Sequence, residues 1–191
     1  KTSAERTKHY RRLTGFKRYR EAHRLDVAQE RYHAQWFLPA IRELAAHRDF
    51  DPDPAWIVRR IRPKITRAQA KKAVATLLEL GLLARDDDGH IVQSEPLVST
   101  GAETQSVHVV AYHRAMLERA SASIDEFPRE SRDISSLTLC LSEDGIARLK
   151  RRLQRLRREL LELSALEDDP VQVVQLNLQL FPLSEEPNDE A

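Results

Sequence analysis

Three patterns in the sequence predict an α+β fold. Three helical stretches lead into two short apolar runs that flank an Asp-Gly turn at 88–89. A fourth helical stretch covers 107–124. Two segments of alternating apolar residues, 134–141 and 171–180, then flank a helix whose leucines recur every three or four residues. Helical periodicity and strict alternation occur in the same chain, so helices and strands are both expected.

The composition excludes several classes of protein. The chain has 191 residues, 41% hydrophobic and 32% charged, which suits one or two small domains with a packed core. No apolar run approaches the ~18 residues of a membrane span, so we expect no membrane contact. The single cysteine, Cys140, excludes an internal disulfide and a cysteine-cluster zinc site, and indicates a reduced, cytoplasmic compartment. Five glycines offer no phosphate-binding loop, and we expect no cofactor.

The net charge of +1 conceals an uneven distribution. Residues 1–20 carry eight Lys or Arg against one Glu, whereas the last ten residues carry four acidic side chains. A basic arm suits contact with a polyanion, and an acidic end is typical of a solvated tail. The chain starts at Lys1 and not at methionine, so we expect it to be part of a longer protein. The predicted division is a basic arm or linker at 1–24, a first domain at 25–93, a linker at 94–106, a second domain at 107–184 and an acidic tail at 185–191.

The first domain begins with two predicted helices, 25–46 and 55–61. Apolar residues at spacings of three and four form one stripe along the first of them. Pro39 lies inside that stripe and predicts a kink or an early break. Asp53 is a suitable N-cap for the second helix, and Pro54 suits its first position.

A third helix and a hairpin complete the first domain. Thr66 is the expected N-cap of a helix at 67–80, and Gly81 is a suitable C-cap. The runs 82–85 and 90–92 around the Asp-Gly turn predict a β-hairpin. Three helices followed by a hairpin form the plan of a winged helix, which is the fold we expect here.

The second domain is predicted to be a helix at 107–124 followed by a β-α-β unit. In that unit, Ser142 caps a helix at 143–166 between strands at 134–141 and 171–180. A β-α-β connection makes the strands parallel, but two strands are too few for a stable sheet. We therefore expect a second copy of the chain to complete the sheet, giving a homodimer. The candidate dimer contacts are Leu137, Leu139, Leu176, Leu178 and Leu180.

Winged helices commonly place their third helix in the major groove of DNA. Basic and polar side chains on the predicted third helix and just before it suit contacts with phosphates and bases. With three residues of the basic arm, the candidates are Arg59, Arg62, Lys64, Arg67, Gln69, Lys71, Lys72, Arg11, Arg12 and Arg18. Three aspartates at 86–88, on the predicted wing tip, would repel phosphates, which favours a structural or pairing role. Both interpretations stay open.

The predicted helix 143–166 has a basic face, and a polar cluster precedes the strand at 134–141. A solvated helix face and a local turn are the simpler interpretations, and binding of a small anionic effector such as a metabolite or nucleotide is the alternative. The candidates for that contact are Arg132, Ser135, Ser136, Arg151 and Arg155. No histidine pair has the spacing of metal ligands, and no acid-base or nucleophile constellation emerges. We therefore expect neither a metal site nor an enzyme.

Several strings occur together in this chain. They are Tyr32-His33 with Trp36, Tyr112-His113-Arg114, Arg132-Asp133-Ile134-Ser135-Ser136 and the closing string at 174–184. Together they resemble the C-terminal region, a domain of unknown function, of a bacterial family of helix-turn-helix transcriptional regulators. The resemblance covers roughly residues 10–184.

The resemblance implies a cytoplasmic DNA-binding regulator whose helix-turn-helix domain precedes Lys1. It supplies no ligand and no catalytic residue. If the DNA reader lies upstream, this region pairs subunits, senses a signal or binds a partner. The favoured hypothesis is a dimerising and regulatory region that sets the spacing of two DNA-binding heads. The alternatives are direct DNA binding by the winged helix and an effector-binding module.

Overall fold

The structure, a computed structural model, describes residues 31–94 and 107–185. Helices dominate this part of the chain, with one antiparallel sheet of two strands, so the fold is α+β as predicted. The elements are α1 (Phe37–Leu44), α2 (Pro54–Arg60), α3 (Arg67–Glu79), β1 (Leu83–Arg85), β2 (Ile91–Gln93), α4 (Val107–Glu126), a short 3-10 helix (Arg129–Ser131) and α5 (Glu143–Ala165).

Some predictions fall outside the described residues. They are the basic arm at 1–24 with Arg11, Arg12 and Arg18, nearly all of the linker at 94–106, and the acidic tail after residue 185.

Local capping determines where α2 and α3 begin. The Asp53 carboxylate accepts a hydrogen bond from the Ala55 N–H (3.1 Å), and Pro54 takes the first position of α2, as predicted. At α3, the Thr66 hydroxyl accepts a hydrogen bond from the Gln69 N–H (3.1 Å). The Gln69 side-chain oxygen accepts one from the Thr66 N–H (2.8 Å), which closes a capping box.

Residues 31–94, here called the first part of the chain, have a core that forms around α3. This helix packs against α1, α2 and β1. Ile41, Ile57 and Leu77, one from each of the three helices, are fully buried. Gly81 follows α3 with φ = 67°, the left-handed conformation that glycine adopts without strain, as its predicted capping role requires. The predicted hairpin is present as β1 and β2, with Gly89 (φ = 84°) in its turn.

The predicted helix at 25–46 is wrong in its continuity. Residues 31–33 are helical, residues 34–36 form a bend and a turn, and α1 begins only at Phe37. Pro39 neither kinks nor ends α1. It lies in the first turn, where the missing N–H would have no helical partner and the fixed φ suits the helix.

Residues 107–185, here called the second part of the chain, contain α4 and α5. These helices lie close to the predicted ranges 107–124 and 143–166, and each differs from its range by one or two residues at one end. The Ser142 hydroxyl caps α5, as predicted, by accepting a hydrogen bond from the Gly145 N–H (3.2 Å). Within the described residues, no helix combines the length and the apolar character that a membrane crossing requires.

The predicted β-α-β unit is wrong for the single chain. Residues 134–141 and 171–180, here called the leucine segments, contain neither helix nor strand. In the described part of the chain, neither segment takes part in a backbone–backbone hydrogen bond. A strand exists only where its backbone groups pair with a neighbour, so the alternating pattern alone does not produce one.

Candidate functional site

Buried and exposed apolar side chains occupy different parts of the chain. Among the described residues, the buried apolar side chains lie between residues 32 and 91, apart from Val109 and Met116. The exposed large apolar side chains lie between residues 107 and 183, apart from Val92. The first part therefore has a core of its own, whereas the second part presents mainly an apolar surface.

The predicted dimer contacts belong to that surface. Leu137 is 87% exposed and Leu176 is 59% exposed. Leu139, Leu178 and Leu180 are exposed as well. No ladder joins the two leucine segments to each other within the described residues, so the structure does not bring these five side chains into one sheet.

The second leucine segment contacts α4 through polar side chains at odd positions. The Tyr112 hydroxyl donates a hydrogen bond to the Gln175 side-chain oxygen (3.4 Å). The Asn177 side-chain amide donates to the backbone oxygen of Met116 (3.0 Å). The leucines between and beyond these contacts, at even positions, remain exposed, because apolar and polar residues alternate along this segment.

Helix α5 carries an apolar stripe that is not buried. Its members follow the spacing 3-4-3-4-3: Ile146, Leu149, Leu153, Leu156, Leu160 and Leu163. Gly145 is the one buried residue of this helix. Arg151 and Arg155, candidates for anion binding, are exposed on the same helix. An amphipathic helix of this kind gains most of its stability by covering its apolar stripe.

The other candidates for anion binding are not assembled into a site. Arg132 is partly buried, and its Nε donates a hydrogen bond to the backbone oxygen of Phe127 (3.0 Å). Ser135 and Ser136 are exposed, and no hydrogen bond in the described part of the chain joins them to Arg132. Arg132 therefore holds the turn after α4.

Two of the candidate DNA contacts have structural partners. The Lys64 ammonium donates to the backbone oxygens of Val58 (2.9 Å) and Arg59 (2.8 Å), at the C-terminal end of α2. Gln69 belongs to the capping box of α3. The remaining candidates in this region have exposed side chains: Arg59, Arg62, Arg67, Lys71 and Lys72.

The hairpin turn gathers three groups that could ligate a metal ion. Asp86, Asp88 and His90 place one ligand atom each within 4.8 Å of the others, and all three residues are exposed. The Asp86 carboxylate already accepts hydrogen bonds from the N–H groups of Asp88 (3.1 Å) and His90 (2.8 Å). The turn itself therefore accounts for this cluster.

A polar cluster around Arg42 was not predicted from the sequence. The Arg42 side chain on α1 is completely buried. Its Nη1 donates to the Glu43 carboxylate, whereas Nε and Nη2 have no hydrogen-bond partner in the described part of the chain. The Gln93 amide on β2 donates to the Arg42 backbone oxygen (2.9 Å) and to Glu43 (3.2 Å).

Aromatic side chains surround this Arg42 cluster. The His33 ring lies between the rings of Tyr32 and Tyr112, with centroid distances of 4.8 and 5.0 Å. Burial raises the pKa of the Tyr32 phenol above its usual range. Burial, and then the negative charge of Glu43, raise the pKa of Tyr112. Both phenols therefore stay protonated at neutral pH. No sequence signal marks the cluster, because an arginine in an amphipathic helix is normally expected at the surface.

A family model described as a domain of unknown function, DUF4423, matches residues 16–183. The chain belongs to the DUF4423 family. The match spans the five α-helices of the described residues, the hairpin, both leucine segments and the Arg42 cluster, so these are parts of one DUF4423 domain. No curated protein and no solved structure matches the chain.

Proposed function

We propose that this DUF4423 chain is the dimerising and regulatory region of a cytoplasmic bacterial transcriptional regulator, with DNA bound by the full-length protein. The observation that carries the proposal is the apolar surface of residues 107–183. That surface includes five leucines of the leucine segments and the exposed members of the stripe on α5, Ile146, Leu156 and Leu163. Apolar surface of this extent on a soluble chain typically marks an interaction site.

A second copy of the chain is the partner that the pattern fits best. Each copy supplies two segments with strand alternation and one helix whose apolar stripe is only partly covered. Two copies supply four strands, which is enough for a stable sheet, whereas one copy supplies two. A two-fold arrangement is self-complementary and uses the same patch on both partners. In such a dimer the leucine segments gain the backbone partners that they lack in the single chain.

Contacts between the two parts of the chain support a regulatory role. The Arg119 guanidinium on α4 lies 3.8 Å from the centroid of the Trp36 ring. Arg48, in the loop between α1 and α2, forms an ion pair with Asp169 (2.6 Å). These contacts connect helices α1 to α3, here called the helical module, to the surface of residues 107–183 that we propose as the interface. Association of two copies would therefore fix the position of the helical module and of any segment or molecule attached to it.

Mass measurement tests the pairing. We expect the full chain to elute with twice its monomer mass in light scattering on a size-exclusion column at about 100 µM. Replacing Leu176 and Leu178 with Lys should give a folded monomer, because both side chains are exposed in the single chain. Gln179→Lys, which adds a charge to the same segment without removing a leucine, is the matched control and should stay dimeric. A wild-type chain that is monomeric at this concentration would contradict the proposal.

Direct DNA binding is the second candidate, favoured by the exposed basic side chains of α3. Arg67, Lys71 and Lys72 are exposed on α3, which follows two helices and precedes a hairpin. That element order is the one expected of a winged helix, whose third helix commonly contacts DNA. If this surface reads DNA, duplex binding falls steeply with salt, and replacing these three residues with Gln weakens it. Replacing Arg151, Arg152 and Arg155 on α5 with Gln removes the same number of exposed charges and serves as the control. Salt-insensitive or absent binding would leave the pairing proposal alone.

A further inference from the structure

The strongest unexplained feature of the molecule is the unpaired edge of Arg42. The guanidinium is completely buried, and Glu43 engages only Nη1. The N–H groups on Nε and Nη2 have no hydrogen-bond partner among the described residues. A buried charged donor without a partner is strongly unfavourable, so an acceptor at this edge would stabilise the protein.

The geometry of that edge selects the chemistry of the acceptor. The Nε–H and one Nη2–H of an arginine are parallel and spaced to match the two oxygens of a planar carboxylate. Phosphate groups also fit this pair of parallel N–H groups, the fork of the guanidinium. Here the neighbouring Glu43 already brings one negative charge, which disfavours a dianion more than a monoanion. The protonated phenol of Tyr32, buried in the same cluster, adds a neutral donor.

We propose that the Nε–Nη2 edge of Arg42 binds a carboxylate group. The carboxylate comes either from a free small molecule or from an Asp or Glu side chain of a second copy. The cluster joins α1 and β2 to α4, through Gln93 on one side and Tyr112 on the other. A free carboxylate bound there would be an effector at the junction between the helical module and the proposed dimer surface. The proposal stands on the burial of Arg42 and does not require dimerisation.

Proton–nitrogen correlation spectra of the ¹⁵N-labelled full chain test the proposal directly. The Arg42 Nε–H signal is assigned by its disappearance in Arg42→Lys. Sodium formate and sodium acetate are titrated against sodium chloride at matched ionic strength and pH. A saturable downfield shift with the carboxylate salts, absent with chloride, supports a free molecule. A signal already downfield that returns toward the free position on dilution supports a side chain of a second copy.

Two results would overturn the proposal. One is an Arg42 Nε–H signal that coincides with those of exposed arginines under every salt and concentration. The other is a downfield signal that ignores both added carboxylate and dilution, because the chain would then satisfy Arg42 by itself.

Thermal unfolding supplies an independent measurement for the free-molecule arm. Arg42→Lys keeps the positive charge but loses the fork, so the apparent affinity for the carboxylate should fall about tenfold or more, as expected for one lost charge-assisted hydrogen bond. Arg129→Lys makes the same change at an exposed position in the short 3-10 helix and should leave the response of the melting temperature unchanged. An equal response in both variants would exclude a free molecule as the source of the carboxylate.

Discussion

At the scale of single residues, the polar side chains of the first part of the chain divide into those that have partners in the fold and those that are open to a ligand. Lys64 and Gln69 have backbone partners at the ends of α2 and α3. Arg67, Lys71 and Lys72 are exposed, and so are Lys64 and Gln69. Lysines occur in both groups, so residue type does not separate them in the sequence. Only the carbonyl and amide groups that the fold places nearby distinguish a structural lysine from one available to a ligand.

Buried tyrosines lead to a prediction about alkaline stability. Burial raises the pKa of Tyr32, so the folded chain keeps that proton at a pH where the unfolded chain loses it. Stability from this group is therefore fully present below about pH 10 and decreases as the pH rises further. In Tyr32→Phe, the free energy of unfolding, measured by urea denaturation between about pH 8 and 11, should fall less steeply with pH.

The slope, and not the absolute stability, is the decisive quantity, because removing the hydroxyl also changes packing. Tyr112→Phe tests the second raised pKa of the cluster. Its effect should have the same sign, since burial raises both values. If the free energy of unfolding of Tyr32→Phe falls with pH as steeply as that of the wild type, Tyr32 is not the group whose raised pKa contributes this stability.

At the scale of elements, the sequence predicted those features that depend on near neighbours. The caps at Asp53, Thr66 and Ser142 involve hydrogen bonds within three residues, and all three are present. The glycine turn of the hairpin is equally local. Predictions failed where distant groups decide. Residues 34–36 interrupt the helix before Phe37, and Tyr32 and His33 ahead of that break are buried, whereas the apolar spacing continues through it.

The leucine segments show the same limit more clearly. Alternation of apolar and polar residues specifies two faces, but a strand also needs a paired backbone. Among the described residues the single chain offers no such pairing, and 171–177 lies against α4 through side chains instead. For the Arg42 cluster no pattern was available, because burial of an arginine results from tertiary packing.

At the scale of the whole molecule, the two parts of the chain have unequal means of stabilising themselves. The first part buries four large aliphatic side chains completely, Ile41, Ile57, Leu77 and Leu83, around α3. The second part buries Val109 and Met116 among its apolar residues and exposes most of the others. The first part is therefore expected to stay folded on dilution, whereas the second depends on a partner.

Hydrogen exchange at two protein concentrations separates these behaviours. At about 1 µM, amides of the leucine segments should exchange rapidly, because within the described residues they have no backbone acceptor, whereas helices α1 to α3 should be protected. At about 200 µM, pairing with a second copy should protect the leucine segments and leave the protection of α3 unchanged. The variant with Lys at 176 and 178 should show the dilute pattern at both concentrations. Strong protection of the leucine segments in that variant, at 1 µM as well as at 200 µM, would mean that the chain orders them without a partner, and the dimer would then not be what completes the fold.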